Sequence, residues 1–182
     1  MKKPILLSAL VLLSEVAVSQ PAQAQKTYAL AFGGGVAIPV GRLSSTQNTG
    51  YNGLAALAIG LSDLPIGIRF DGIYNSLLRP GTGSGSTGSD LRVGGVLANF
   101  IFAFPGTSAK AYAIAGVGWY NSKLDAPDVK SQNDWGVNGG LGATFALGPI
   151  ATFVESRYHS VSRSESKGGV YQFVPITIGV MF

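Results

Sequence analysis

The chain contains a single histidine, and this histidine is followed by hydroxyl and acid side chains that could form a hydrolytic set. His159 is followed by Ser160, Ser162, Ser164 and Glu165. A serine nucleophile needs a histidine base within hydrogen-bonding reach. Neighbouring residues of a strand point to opposite faces, so His159 and Ser160 cannot form that hydrogen bond if the segment is extended. The pattern favours a non-catalytic protein, with an enzyme as a remote alternative.

A second group of residues that could act together is charged. Glu155 and Arg157 share one face of a predicted strand, and Arg69 and Asp71 share one face of another. If these strands belong to a membrane barrel, as the strand and loop patterns described below predict, exposing an arginine to lipid near the bilayer centre would cost roughly 2–4 kcal/mol. We therefore expect the charged faces to point into the barrel. Gly94 and Gly95 suggest a bulge that would turn a further arginine inward. The predicted lumen polar cluster consists of Arg69, Asp71, Arg92, Asn138, Glu155 and Arg157.

Two functions fit such a cluster. Charged groups in a confined interior are tolerated only when they are mutually paired, and a paired cluster would plug and rigidify the barrel. The alternative is a narrow, low-conductance diffusion channel along the polar residues. We expect the plug.

Other chemistry is not supported. The chain has no cysteine, and its one histidine cannot form a histidine-rich metal site. Asp125, Asp128 and Asp134 lack the ligand spacing of a calcium loop, and Gly33–Gly35 is not followed by the helix that a phosphate cradle needs. We expect no metal and no cofactor, although a weak surface cation site stays open. The formal charge of +4 is not gathered in a basic run, so no nucleic-acid partner is expected.

These residues must be positioned by short strands. Large apolar residues alternate with glycine, alanine and polar residues, which is typical of strands with two unlike faces. We predict eight strands, over residues 27–38, 51–61, 66–75, 90–104, 110–120, 134–147, 150–160 and 170–182. The pattern of 110–120 fits either orientation, so its facing is left open.

The predicted connections sort by length. Short ones at 62–65, 105–108 and 148–149 alternate with long ones at 39–50, 76–89, 121–133 and 162–169. Outer-membrane barrels have short periplasmic turns and long external loops. The fold class predicted is therefore all-β, an eight-stranded antiparallel up-and-down transmembrane β-barrel. A soluble secreted barrel, which would extract without detergent, is the structural alternative.

The N-terminus has the pattern of a secretory signal peptide. Lys2 and Lys3 precede an apolar core at residues 5–13, and Ala22-Gln23-Ala24 is a small-residue cleavage site. About ten apolar residues are too few to span a bilayer as a helix. We expect a cleaved signal over 1–24 and a single barrel domain over 25–182.

The final segment, VYQFVPITIGVMF, ends on an aromatic residue within a strand pattern. It resembles the C-terminal strand of bacterial outer-membrane β-barrels, in which such an ending is read by the assembly machinery. The residues that carry this resemblance are Ile176, Ile178, Val180 and Phe182. From residue 27 onward the chain resembles the small outer-membrane barrels that include the OmpA transmembrane domain, OmpX and the opacity-type proteins.

The resemblance implies a location and partners. It implies the outer membrane of a Gram-negative envelope, contact with outer-membrane lipid or lipopolysaccharide, transient contact with periplasmic chaperones and the barrel-assembly machinery, and a monomer. Small barrels that deacylate outer-leaflet lipid carry a serine two residues after the histidine, where this chain has Val161. A lipid-modifying enzyme therefore stays the remote alternative to a structural, envelope-integrity or surface-interaction protein.

Aromatic residues at strand ends suggest interfacial anchors. Tyrosine and tryptophan prefer the headgroup level of a bilayer, and barrels carry them as girdles. The predicted interface aromatics beside the long loops are Tyr51, Tyr74, Trp119, Tyr120, Trp135 and Tyr158.

Overall fold

The computed structural model describes residues 28–60, 64–79, 89–106, 109–163 and 169–182. The predicted signal peptide, 1–24, lies outside these residues. So do parts of the predicted connections at 62–65, 76–89, 105–108 and 162–169. Among the described residues, no helix is long and apolar enough to cross a membrane.

Eight antiparallel strands pair in chain order and close on themselves into a barrel, because β1 also pairs with β8. Closure leaves no unpaired sheet edge. The strands are β1 Tyr28–Val40, β2 Asn48–Gly60, β3 Ile66–Leu78, β4 Leu91–Ala103, β5 Ala109–Leu124, β6 Gln132–Leu147, β7 Ile150–Val161 and β8 Tyr171–Met181. The predicted fold class is confirmed.

The two ends of the barrel differ as predicted. The strand ends that are joined by 61–65, 104–108 and 148–149 lie at one end, which we call the short-turn end, together with Tyr28 and Phe182. The strand ends that are joined by 41–47, 79–90, 125–131 and 162–170 lie at the other, the long-loop end. Several strands run further toward the long-loop end than predicted, because backbone pairing continues there after the apolar alternation has stopped.

The barrel is apolar outside and polar within. Phe32, Val96, Leu141 and Ile178 face outward and are each more than half exposed. Phe182 is also exposed and exchanges two backbone hydrogen bonds with Leu30, which joins the end of the chain to the first strand. Since successive side chains of a strand alternate, the outward apolar set forces the intervening residues into the lumen.

The predicted bulge at Gly94-Gly95 is wrong. The β3–β4 and β4–β5 registers run through both glycines without a shift. Leu91 and Val93 are buried in the lumen, so the apparent change of phase arises because inward positions at this end are also apolar. The irregularity lies instead between Asn48 and Tyr51 of β2.

Gly50 explains where that irregularity falls. A β-carbon on Gly50 would collide with the carbonyl group of Ser76 on β3. Only glycine fits this close backbone approach. The register shift therefore sits at the rim of the barrel, where bulges are common.

Strand β5 has one clear orientation. Tyr112, Ile114 and Tyr120 are buried in the lumen, whereas Val117 and Trp119 face outward. Tyr120 is fully buried, so its predicted place among the interface aromatics is wrong. The sequence could not settle this because alanine, glycine and aromatic residues occur on both faces of the segment. The remaining five, Tyr51, Tyr74, Trp119, Trp135 and Tyr158, are exposed on the outer surface.

The long-loop end is partly closed by the chain itself. A short 3₁₀ helix, Gly41–Ser45, follows β1 and turns its Leu43 side chain into the core, where it is buried. Hydroxyl groups of Ser44 and Ser45 bond back to backbone carbonyls of the same turn. These local bonds stabilise the turn itself, and the burial of Leu43 places an apolar side chain in the mouth of the barrel.

Candidate functional site

Four charged side chains meet in the lumen and form a closed ring of alternating sign. Arg69 Nε lies 2.8 Å from Asp71 Oδ1, and Asp71 Oδ2 lies 2.7 Å from Arg157 Nη1. Arg157 Nε lies 2.8 Å from Glu155 Oε1, an ion-pair contact without hydrogen-bond geometry. Glu155 Oε2 closes the ring at 2.8 Å from Arg69 Nη1. We call these four residues the charge ring.

The charge ring spans the barrel. Arg69 and Asp71 come from β3, and Glu155 and Arg157 come from β7, which is four strands away in either direction around the closed sheet. All four side chains are at most 6% exposed. Two positive and two negative charges cancel, which is the condition for burying them together. The ring is thus a strut that joins opposite walls.

Uncharged polar groups from the strands between complete the layer. Asn99 Nδ2 donates to Asp71 Oδ2 at 2.9 Å, and Tyr112 OH donates to Glu155 Oε2 at 2.7 Å. Asn138 Nδ2 donates to Asn99 Oδ1 at 2.9 Å. Each carboxylate therefore accepts from a neutral donor as well as from arginines, which supplies bonds that a buried network needs.

Glycines of β6 make room for this network. Gly140 and Gly142 lie directly opposite Arg157 and Glu155 across the β6–β7 ladder. A β-carbon on Gly140 would lie 2.8 Å from Arg157 Cγ, and one on Gly142 would collide with the ring of Tyr112. The glycine-rich inner face is therefore the space that the long side chains occupy.

The predicted lumen polar cluster needs one correction. Arg69, Asp71, Asn138, Glu155 and Arg157 lie together as described above. Arg92 does not join them, because β4 has no bulge to turn it. Its side chain faces outward at the long-loop end, 48% exposed, with its Nη2 atom 2.7 Å from Asp125 Oδ2.

Two members of the polar layer, Asn99 and Tyr112, escaped the sequence analysis. Asn99 lies in a segment of otherwise apolar residues. A polar amide on an inward position of β4 was the sequence signal that could have identified it as a lumen residue. Tyr112 lies on β5, whose facing the sequence did not settle. The registers place Asn99 opposite Arg69, and Tyr112 opposite Gly142, which in turn lies opposite Glu155.

His159 is part of an aromatic layer and not of a hydrolytic set. Its Nδ1 atom is 2.9 Å from the hydroxyl of Tyr120, and its ring stacks on Phe173 with centroids 4.9 Å apart. It is fully buried. Ser160 occupies the opposite-facing strand position, and among the described residues no serine hydroxyl bonds to His159. Ser164 and Glu165 lie outside these residues.

Apolar side chains close the lumen on both sides of the charge ring. Toward the long-loop end the interior is filled by buried residues: Leu43, Leu77, Leu91, Val93, Tyr120, Val161 and Phe173. Toward the short-turn end Phe153 is buried against β1 and β8, where a β-carbon on Gly33 would lie 2.9 Å from its ring. Among the described residues, apolar side chains thus lie on both sides of the charge ring, beside buried polar residues such as Asn52 and Asn75.

No metal centre is apparent in the part of the chain that the structure describes, since no three histidine, cysteine or acidic residues come together there. Asp125 bonds to Arg92, and Asp134 accepts from Arg163 Nε at 3.0 Å. Asp128 is exposed and has a positive φ of 59°. The three acids considered for calcium thus have separate environments.

The fold matches solved membrane barrels. Neisserial surface protein A (NspA) aligns with a TM-score of 0.64 and 16% identity, over 87% of this chain and 98% of that one. A major outer membrane protein from Thermus thermophilus aligns at 0.55 and 12% identity, over 85% and 97%. The N-terminal β-barrel domain of Pseudomonas aeruginosa OprF aligns at 0.51 and 13% identity, over 86% and 98%.

Comparison at the level of sequence, in contrast, finds no match. No protein-family model and no functionally curated protein matches the chain. At 12–16% identity the likeness concerns the fold. The closed eight-strand order, the apolar outer face and these matches agree, and the chain has the fold of the small eight-stranded outer-membrane β-barrel proteins.

Proposed function

We propose that this protein is an integral outer-membrane barrel with a closed lumen, which serves envelope integrity or contact at the cell surface and has no catalytic activity. The observation that carries the proposal is the charge ring, packed between apolar layers. A transport path needs a continuous polar lumen. A cluster that braces the barrel needs its charged groups to be paired with one another.

The outer surface supports the membrane placement. Outward side chains at mid-barrel are apolar, and exposed aromatic residues lie near both ends, with Trp119 and Trp135 in edge-to-face contact at 5.0 Å near the long-loop end. This is the arrangement by which barrels anchor in a bilayer. The partners proposed are outer-membrane lipid and lipopolysaccharide, and, during assembly, the chaperones and machinery that read the Ile176–Phe182 ending. We propose a monomer.

Single-channel recording tests the closed lumen. The mature chain, refolded and checked by its heat-dependent gel shift, is reconstituted in a planar bilayer next to a general porin as positive control. We expect no conductance steps from this protein. Reproducible steps that change with Glu155→Gln or Arg157→Gln would instead support the narrow diffusion channel.

Lipid analysis tests the absence of catalysis. Cells that express the wild type or His159→Ala are compared for the acyl composition of their outer-membrane lipid. We expect identical profiles, because the imidazole is buried against Phe173 and bonded to Tyr120. A wild-type-dependent loss of acyl chains that His159→Ala abolishes would contradict the proposal.

A further inference from the structure

A cavity of ≈ 80 Å³ lies in the mouth of the barrel at the long-loop end. This is several times the roughly 10–15 Å³ of free volume that one water molecule needs, so it admits a small polyatomic group. Its lining residues are Leu91, Ser122, Leu124, Val129, Lys130, Gln132, Arg163 and Tyr171.

The wall of the cavity contains a buried, fixed guanidinium. Arg163 donates from Nε to Asp134 Oδ2 at 3.0 Å and from Nη2 to Gln132 Oε1 at 2.6 Å. Its Cζ atom lies 4.1 Å from the ring centroid of Tyr171, and its side chain is 3% exposed. Among the described residues, Nη1 has no hydrogen-bond partner. The charge is held in place before any ligand arrives.

Two further groups in the lining have uncommitted bonding capacity. Ser122 is buried at 4% exposure, and its hydroxyl bonds to nothing among the residues that the structure describes. Lys130 is exposed and takes part in no ion pair within the same residues. Asp134, the acid behind the wall, is already engaged by Arg163. The lining therefore offers cationic and hydroxyl donors without a facing carboxylate.

We propose that this cavity binds one anionic group, a phosphate or sulfate monoester, carried by a water-soluble saccharide. Arginine and lysine are the usual partners of such oxyanions, and a serine hydroxyl adds a neutral donor. Tyr171 and Leu124 supply an apolar wall for the carbon skeleton next to the ester. The inference deepens the surface-contact role proposed above and rests on it for the orientation of the long-loop end.

The position of the cavity favours a ligand from the aqueous side. Leu91, Ser122 and Leu124 occupy inward-facing strand positions, so the barrel wall separates the cavity from the lipid-facing surface. Below it the lumen is filled by Tyr120 and Phe173. A ligand therefore enters from the loops and leaves the same way, which is binding and not passage.

Calorimetric titration of the refolded protein in non-ionic detergent tests the proposal. The probes are glucose 6-phosphate and glucose 6-sulfate, with glucose as the uncharged control. We expect the esters to bind and glucose not to bind. Lys130→Gln should weaken binding about tenfold, as for loss of one charged hydrogen bond. Lys123→Gln, an exposed lysine on the outer face of the same region, should leave binding unchanged.

Opposite results overturn the site. Absence of ester binding to the folded wild type does so directly, and so does an equal loss in Lys130→Gln and Lys123→Gln, which would indicate diffuse attraction. Competition by micelles doped with phosphatidylglycerol would show that the bound anionic group comes from a lipid headgroup. That result would overturn the proposal of a water-soluble saccharide ligand. Each binding measurement uses folded barrel in detergent. A failure to bind the esters therefore does not affect the conductance test of the closed lumen.

Discussion

Two arginine–aspartate pairs in this barrel have the same length and opposite surroundings. Arg157 and Asp71 approach to 2.7 Å in the lumen, with side chains 2% and 0% exposed. Arg92 and Asp125 approach to the same 2.7 Å at the long-loop end, with side chains 48% and 50% exposed. The two pairs are therefore distinguished by the solvent exposure of their side chains and not by the distance between their atoms.

The buried pair belongs to a network and the exposed pair stands by itself. Removing one partner of a buried pair leaves an uncompensated charge and costs about 3–5 kcal/mol, whereas an exposed pair is worth about 0–1 kcal/mol. The charge ring is therefore a cooperative unit, in which each charged side chain is paired with two side chains of opposite charge. We infer that the ring fixes one arrangement of opposite walls, because a buried ion pair by itself is weak evidence for net stability.

The largest effect should come from breaking the ring. Glu155→Gln removes one of two negative charges facing Arg69 and Arg157, and should lower the free energy of unfolding by about 3–5 kcal/mol. Urea unfolding of the protein refolded in detergent, followed by gel shift, measures the change. A loss under about 1 kcal/mol, the range of an exposed pair, would show that the ring does not act as a paired unit.

A smaller effect should come from crowding the ring without touching a charge. Gly140→Ala places a methyl group against Arg157 and the backbone of β7, and should destabilise the barrel by about 1–3 kcal/mol. Gly139→Ala is the matched control, because its β-carbon would meet only Ile114 O, at 3.7 Å. Equal unfolding free energies of the two variants in the same urea assay would mean that the lumen accommodates the added methyl group without destabilisation.

The smallest effect should come from the exposed pair. Arg92→Gln should change the unfolding free energy by at most about 1 kcal/mol, and salt should remove the difference because it screens exposed charges. Unfolding in low salt and in about 1 M salt measures this. A salt-independent loss as large as that of Glu155→Gln would erase the distinction between the two pairs.

The sequence placed both residues of the buried pair in the lumen, where the structure has them, and it placed Arg92 there wrongly. Glu155, Arg157, Arg69 and Asp71 could be assigned inward because each lies on a strand whose other face is apolar, and lipid excludes charge. Arg92 could not, because both faces of β4 are apolar near the long-loop end. Tyr120 failed for the same reason on β5, where a tyrosine at a strand end fits a girdle as well as a core.

By itself the sequence determined the fold class, the strand order and the inside-out polarity. These follow from alternation of period two and from the sorting of loop lengths, which are local properties of the chain. Only the tertiary structure decided which charges pair, that Asn99 and Tyr112 join them, that Leu43 folds into the mouth, and that Arg163 lines a cavity. The contacts that cross the lumen, such as Arg157 to Asp71 and Arg69 to Glu155, join strands far apart in the chain, and they depend on a closed register that no local pattern specifies.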